Sequence, residues 1–167
     1  MPNNLTEFEE NEPQYVGSLN HSIVQTQIAG LFLGHEKFRA IIQLSLDVSQ
    51  TDISQFKVKA KDELIPDVCV YSKMVEFNQG GDILKMVDMP LLAIEVVSPK
   101  QGLDEIVNKF KAYFALGVKS CWLATPTFKY ITIYSSPTDF KLFDVKRDTD
   151  VIDEVIEIRL PIQPIFR

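Results

Sequence analysis

Residues 91–100 read LLAIEVVSPK. Between Leu91 and Val97 only Glu95 interrupts an apolar run rich in β-branched residues. Such a run predicts a strand over 91–98 that is covered on both faces. A buried carboxylate is costly unless it is paired or metal-bound, so Glu95 needs a partner. A core lysine or arginine would serve, and so would a metal ion. The next segment, PKQGLDEIVNKFKAYFALGV, places Leu103, Ile106, Val107, Phe110, Tyr113 and Phe114 on one helical face. Ser98 reads as an N-cap with Pro99 at the first helical position, Asp104 as a first-turn acid, and Gly117 as the stop. SCWLATP (120–126) is again a strand. Strand, helix and strand across 91–126 predict two parallel strands joined by a right-handed crossover.

Working outward, NHSIVQTQIAGLFLG (20–34) carries Val24, Ile28, Leu31 and Phe32 at helical spacing, with Asn20 as N-cap and Gly34 just past the end. FRAIIQLSLDV (38–48) reads as a strand, and a second strand starts after Pro66. FNQGGD (77–82) is a loop whose paired glycines make a turn rather than a phosphate cradle. KYITIYS (129–135) is the antiparallel partner of 120–126, and FKLFDV and EVIEIRLPI supply further strand. The expected fold is a single α/β domain over 19–167, a mixed β-sheet with a helix packed on it. Residues 1–18 are expected to form a loosely ordered N-terminal extension.

The chain has 167 residues, 46% hydrophobic and 24% charged, enough to fold without disulfide or structural metal. Cys69 and Cys121 lie in apolar runs and read as core thiols of a reducing compartment. The polar, acidic start is unlike a signal peptide, and no apolar run approaches the ~20 residues of a membrane span. A cytoplasmic protein is expected. A net charge of −6 argues against binding by non-specific phosphate contacts alone. It leaves room for a metal-dependent site, where the ion supplies the local positive charge.

Three residues carry the chemistry. Asp67 follows Pro66 at a strand start, Glu95 sits inside the central strand, and Lys109 borders the apolar stripe of the helix. At 100° per residue, Lys109 lies about 40° from both Tyr113 and Glu105, near enough to reach back to the sheet. Two carboxylates on neighbouring strands suit Mg²⁺ or Mn²⁺. A lysine beside them can stabilise charge on a phosphate or position an attacking water. Each residue has a plainer reading: Asp67 caps a turn, Glu95 pairs with a core cation, Lys109 is a solvated flank. His21 and His35 bracket the first helix and form no evident Cys/His or Ser/His pair. Trp122 reads as core and Lys100 as a loop cation.

The ordered segments PDVCVY, LLAIEVVSP, D-x4-K-x3-Y (Asp104, Lys109, Tyr113), GVKSCWLATP, ITIY and RLPIQPIF resemble the Uma-two family of restriction endonucleases. That family lies in the PD-(D/E)XK nuclease superfamily. The resemblance runs from about residue 20 to the C-terminus. It implies a restriction-endonuclease-like fold, a nuclease site with Mg²⁺ (or Mn²⁺) as cofactor and often a homodimer; it does not fix the substrate, which is expected to be DNA. Asp67 matches the acid of the PD motif and Glu95 the (D/E) position, and with the Val96 carbonyl they would hold the metal. The lysine of the standard pattern would fall at Val97, and Lys109 looks like its substitute on the helix. The acid that some superfamily members carry in the first helix has no counterpart in 20–34; Gln25 is the nearest polar residue and Glu36 lies just beyond. The expected function is metal-dependent hydrolysis of DNA. The acidic charge and Val97 keep open a catalytically inactive nuclease-like scaffold, or a dimeric binding protein joined through its C-terminal strands.

Overall fold

A computed structural model describes residues 17–167. The expected extension over 1–18 falls, for residues 1–16, outside them. The elements are α1 (Leu19–Leu31), β1 (Phe38–Ile42), β2 (Leu46–Asp47), β3 (Glu63–Leu64), β4 (Val68–Ser72), β5 (Leu92–Val96), α2 (Leu103–Ala115), β6 (Ser120–Thr125), β7 (Tyr130–Tyr134), β8 (Phe140–Asp144), β9 (Asp150–Asp153) and β10 (Ile158–Pro161). Short 3₁₀ turns span Ser54–Phe56 and Gln163–Phe166. Six strands form one sheet in the order β1-β4-β5-β6-β7-β8. Only β5 and β6 run parallel, joined through α2; the other neighbours are antiparallel. This is the mixed-sheet α/β architecture expected from the sequence. Among the described residues no helix is long and apolar enough to cross a membrane.

Period-two alternation sorts the central strands into two cores. Leu92, Ile94 and Val96 of β5 join Val68, Val70, Trp122 and the α1 residues Val24 and Ile28 on one face. Ala93 joins Cys69, Cys121, Leu123 and the α2 residues Ile106, Phe110 and Tyr113 on the other. Glu95 has the parity of Ala93 and therefore points toward α2. The run LLAIEVV is apolar because both faces are covered.

Several local expectations are corrected. α1 begins after Ser18, not Asn20, and α2 after Gly102, so Ser98 and Pro99 lie in the loop and cap nothing. The proposed stripe of α2 is too wide, since Leu103 is 56% exposed at the first turn. The expected strand over 38–48 breaks at Gln43, whose φ of 49° no strand accommodates; β1 ends at Ile42 and β2 pairs with β3 instead. Gly117 adopts a φ of 99° just past α2, as a helix stop requires.

β9 was not apparent in the sequence, because its DVID alternates acids with apolar residues on a strand of a separate two-stranded sheet. Asp153 is fully buried there. Its Oδ2 accepts hydrogen bonds from Trp122 Nε1 (2.7 Å) and Ser120 Oγ (2.5 Å), and its Oδ1 from the Val155 backbone N–H (2.9 Å). This carboxylate ties the small sheet to β6. Asp153→Ala orphans the buried Trp122 indole N–H, leaves Ser120 Oγ only its 3.4 Å contact with the Tyr134 carbonyl, and is expected to cost about 3 kcal/mol, read as a lower urea midpoint.

Candidate metal-dependent active site

The antiparallel register pairs Val68 with Ile94. Extending it by one residue sets Asp67 opposite Glu95, both on the α2 side of the sheet at its open end. The aligned backbones thus place two carboxylates on adjacent strands. Asp67 is oriented from two directions. Its Oδ2 accepts the Val96 N–H at 2.7 Å and lies 3.2 Å from His21 Nε2, while its main-chain carbonyl accepts Gln25 Nε2 at 2.9 Å. Among the described residues no donor reaches Asp67 Oδ1, which leaves it available to a ligand.

Glu95 is 2% exposed. Tyr113 Oη donates to Oε1 at 2.7 Å, and Lys109 Nζ lies 3.6 Å from Oε2. Burial pushes the carboxyl up to about 7; Lys109 opposes that rise, and the charge of Asp67 adds to it. Burial, with Glu95 alongside, also holds the Tyr113 phenol well above its usual range, so it remains a donor. One turn before Tyr113 on α2, Lys109 leans over the sheet instead of into solvent, and only 21% of its side chain is exposed. Val97, where the standard lysine would stand, packs against the apolar core on the α2 side.

Asp67, Glu95 and Lys109 line a cleft of about 550 Å³ with His21, Gln25, Ser98 and Gln101. The structure therefore brings Asp67, Glu95 and Lys109 together, and Val96 contributes its N–H to Asp67. Of the two polar positions weighed for the first helix, Gln25 reaches the site and Glu36 is exposed outside it. His21 is the residue the sequence reading missed. A signal was present: His21, Val24, Gln25 and Ile28 form the buried stripe of α1, so a histidine opens an inward-facing row.

The hydrogen bond with Asp67 is the main reason the His21 imidazole titrates above its ordinary 6.5, against the opposing effect of burial. A raised folded value means that this contact stabilises fully below 6.5 and that its contribution fades as pH rises through the folded value. Urea midpoints of the metal-free protein are expected to fall from about pH 6 to about pH 8 more steeply than those of His21→Gln. Parallel curves would show that the contact does not titrate.

The donor set fits a hard divalent cation. Mg²⁺ uses one or two carboxylates and keeps waters for the remaining positions. A buried carboxylate with a raised affinity for protons gains most from a cation, and Asp67 Oδ1 is open. Among the described residues no group of three or more His, Cys, Asp or Glu side chains is placed to hold one ion, so the arrangement is unlike a zinc cage.

Comparison with known proteins bears on the fold and the family. The chain spans 90% of its length against 82% of a solved chain described as a "putative nuclease belonging to DUF820" from Anabaena variabilis, with a TM-score of 0.66 and 18% identity. At that identity the likeness establishes the shared fold. No curated protein matches the sequence. The family Uma2, described as "Putative restriction endonuclease", matches residues 14–162, and that span takes in α1, the whole main sheet, Asp67, Glu95 and Lys109. The chain therefore belongs to the Uma2 family of restriction-endonuclease-like proteins.

Proposed function

We propose that this protein is a divalent-metal-dependent endodeoxyribonuclease. The observation that carries the proposal is the buried Glu95 carboxylate facing the Asp67 position across β4 and β5, with Lys109 3.6 Å away. Asp67, Glu95 and the Val96 carbonyl would hold Mg²⁺ or Mn²⁺. When bound, that ion supplies Lewis-acid stabilisation of the phosphoryl oxygens and a more acidic water. The chain's own residues do the rest. His21 and the Val96 N–H fix Asp67, leaving Oδ1 toward the cleft. Tyr113 fixes Glu95 from behind. Lys109 offers a positive charge at the cleft wall, where it can orient the attacking water or offset charge growing on the phosphate.

Purified protein is expected to cut DNA in Mg²⁺ or Mn²⁺ and to remain idle in EDTA. One observation favours the second reading, a catalytically inactive scaffold: both oxygens of Glu95 already have partners within the chain. Isothermal titration separates the two. Absence of Mg²⁺ and Mn²⁺ binding at millimolar concentration would establish the scaffold.

A further inference from the structure

The cleft at Asp67 and Glu95 adjoins a second groove on the side of His21 and Ser98. It shares His21, Ser98 and Gln101 with this second groove, walled by Pro99, Leu103 and Phe128. That groove shares Thr127 and Phe128 with a third concavity, where Lys129, Lys146 and Arg167 gather near Tyr130. We infer that the joined grooves form a track for an unpaired DNA strand leading away from the proposed metal site, with Phe128 stacking a base and the three cations following its phosphates. That the strand is DNA rests on the nuclease reading above.

Three observations point to an unpaired strand. First, the middle groove exposes large apolar groups, Leu19 at 76%, Leu103 at 56% and Phe128 at 63%. Such a patch beside a polar site marks a binding surface. A duplex hides its base faces and presents phosphate, so it offers this groove nothing; an unpaired strand presents both.

Second, Phe128 is set in advance. It sits at the tip of the β6–β7 hairpin, where Lys129 adopts a φ of 57° and donates its N–H to the Pro126 carbonyl at 3.2 Å. Tyr130 stacks against it with ring centroids 5.7 Å apart and planes 26° from parallel. An aromatic held this way can stack a base without first being ordered.

Third, charge at the far end is opposite to that of the chain as a whole, which is −6. The one side-chain carboxylate lining that concavity, Asp144, is buried, accepts the Lys146 N–H at 2.8 Å and pairs with Arg147 at 3.4 Å. It does not neutralise the cations. Ser98 Oγ, buried and without a partner among the described residues, offers a donor where the first two grooves join.

Fluorescence anisotropy in EDTA tests the track without cleavage. A labelled oligothymidylate of about a dozen nucleotides is expected to bind about tenfold tighter than a duplex of equal length. Phe128→Ala is expected to weaken the single strand about tenfold and the duplex little. Lys146→Ala should lower the slope of log affinity against log salt by about 0.7. A duplex bound as tightly as the single strand, or an unchanged single-strand affinity in Phe128→Ala, overturns the track. The two readings fail separately. Single-strand binding that needs Phe128, in a protein that neither binds Mg²⁺ nor cuts, sinks the nuclease and keeps the track. Cleavage by a protein indifferent to Phe128 does the reverse.

Discussion

Glu95→Gln is expected to abolish cleavage while leaving the metal-free protein more stable at pH 8. The two effects share a cause. In the folded, metal-free chain the Glu95 carboxyl is pushed up to about 7 from 4.5, chiefly by burial. The native state then holds a proton that the unfolded chain has released, and stability falls as pH rises from 4.5 to about 7. Integrated over that window the cost is on the order of 3 kcal/mol, fully present above pH 7. Glutamine keeps the shape and can still accept from Tyr113, but carries no charge to bury. Urea unfolding at pH 8 should therefore show a higher midpoint for the variant, with the difference vanishing near pH 4. Cleavage should fall by about 10³-fold or more, since a neutral amide cannot hold a hard divalent cation against water. Equal activity in variant and parent would remove Glu95 from the chemistry. Lost activity with lower stability at pH 8 would mean that Glu95 mainly anchors Tyr113 and Lys109, as a structural ion pair does.

That trade between stability and chemistry explains why Glu95 is visible in the sequence. A lone acid in an apolar strand conflicts with its surroundings, and such conflicts collect at functional sites. The strand, the helix after it and the parallel partner were legible because burial on both faces of β5 leaves almost no choice of residue, and because α2 carries a regular stripe. Legibility failed where contact is non-local. His21 reaches Asp67 because the first turn of α1 lies over the open end of the sheet, a placement that no spacing within α1 encodes. Gln43 looked like part of a strand because its left-handed backbone goes with a non-local contact, its N–H meeting the Asp67 carbonyl just before β4. β9 was hidden for the opposite reason: Asp153 reads as a surface acid, and only its bonds to Trp122 and Ser120 reveal a core one. Leu103 looked like core because periodicity cannot show where a helix rises clear of its sheet.

Lys109→Met is expected to slow cleavage by about 10²–10³-fold with little change in Mg²⁺ affinity. Methionine keeps much of the apolar stem that covers the rim of the cleft, so the fold should be retained. It removes the only cation that the structure places against Glu95 among the described residues. If that cation orients water or offsets phosphoryl charge, its loss acts on the turnover step, and kcat falls while KM and metal binding hold nearly constant. Lys109→Arg should recover part of the rate, since it restores charge but not the compact ammonium. A purely structural role predicts another pattern. The Met variant would bind Mg²⁺ more weakly and lose stability, because Glu95 would be left buried and uncompensated, and kcat at saturating Mg²⁺ would recover. The double variant Val97→Lys/Lys109→Met sharpens the distinction. Val97 has the parity of Glu95 along the strand and packs toward α2, so a lysine there starts on the same side of the sheet as the one removed. Recovery of cleavage in the double variant would show that one ammonium, reached from either strand or helix, completes the site. Continued inactivity would tie the function to the geometry of α2, where Lys109 and Tyr113 bear on the same carboxylate one turn apart.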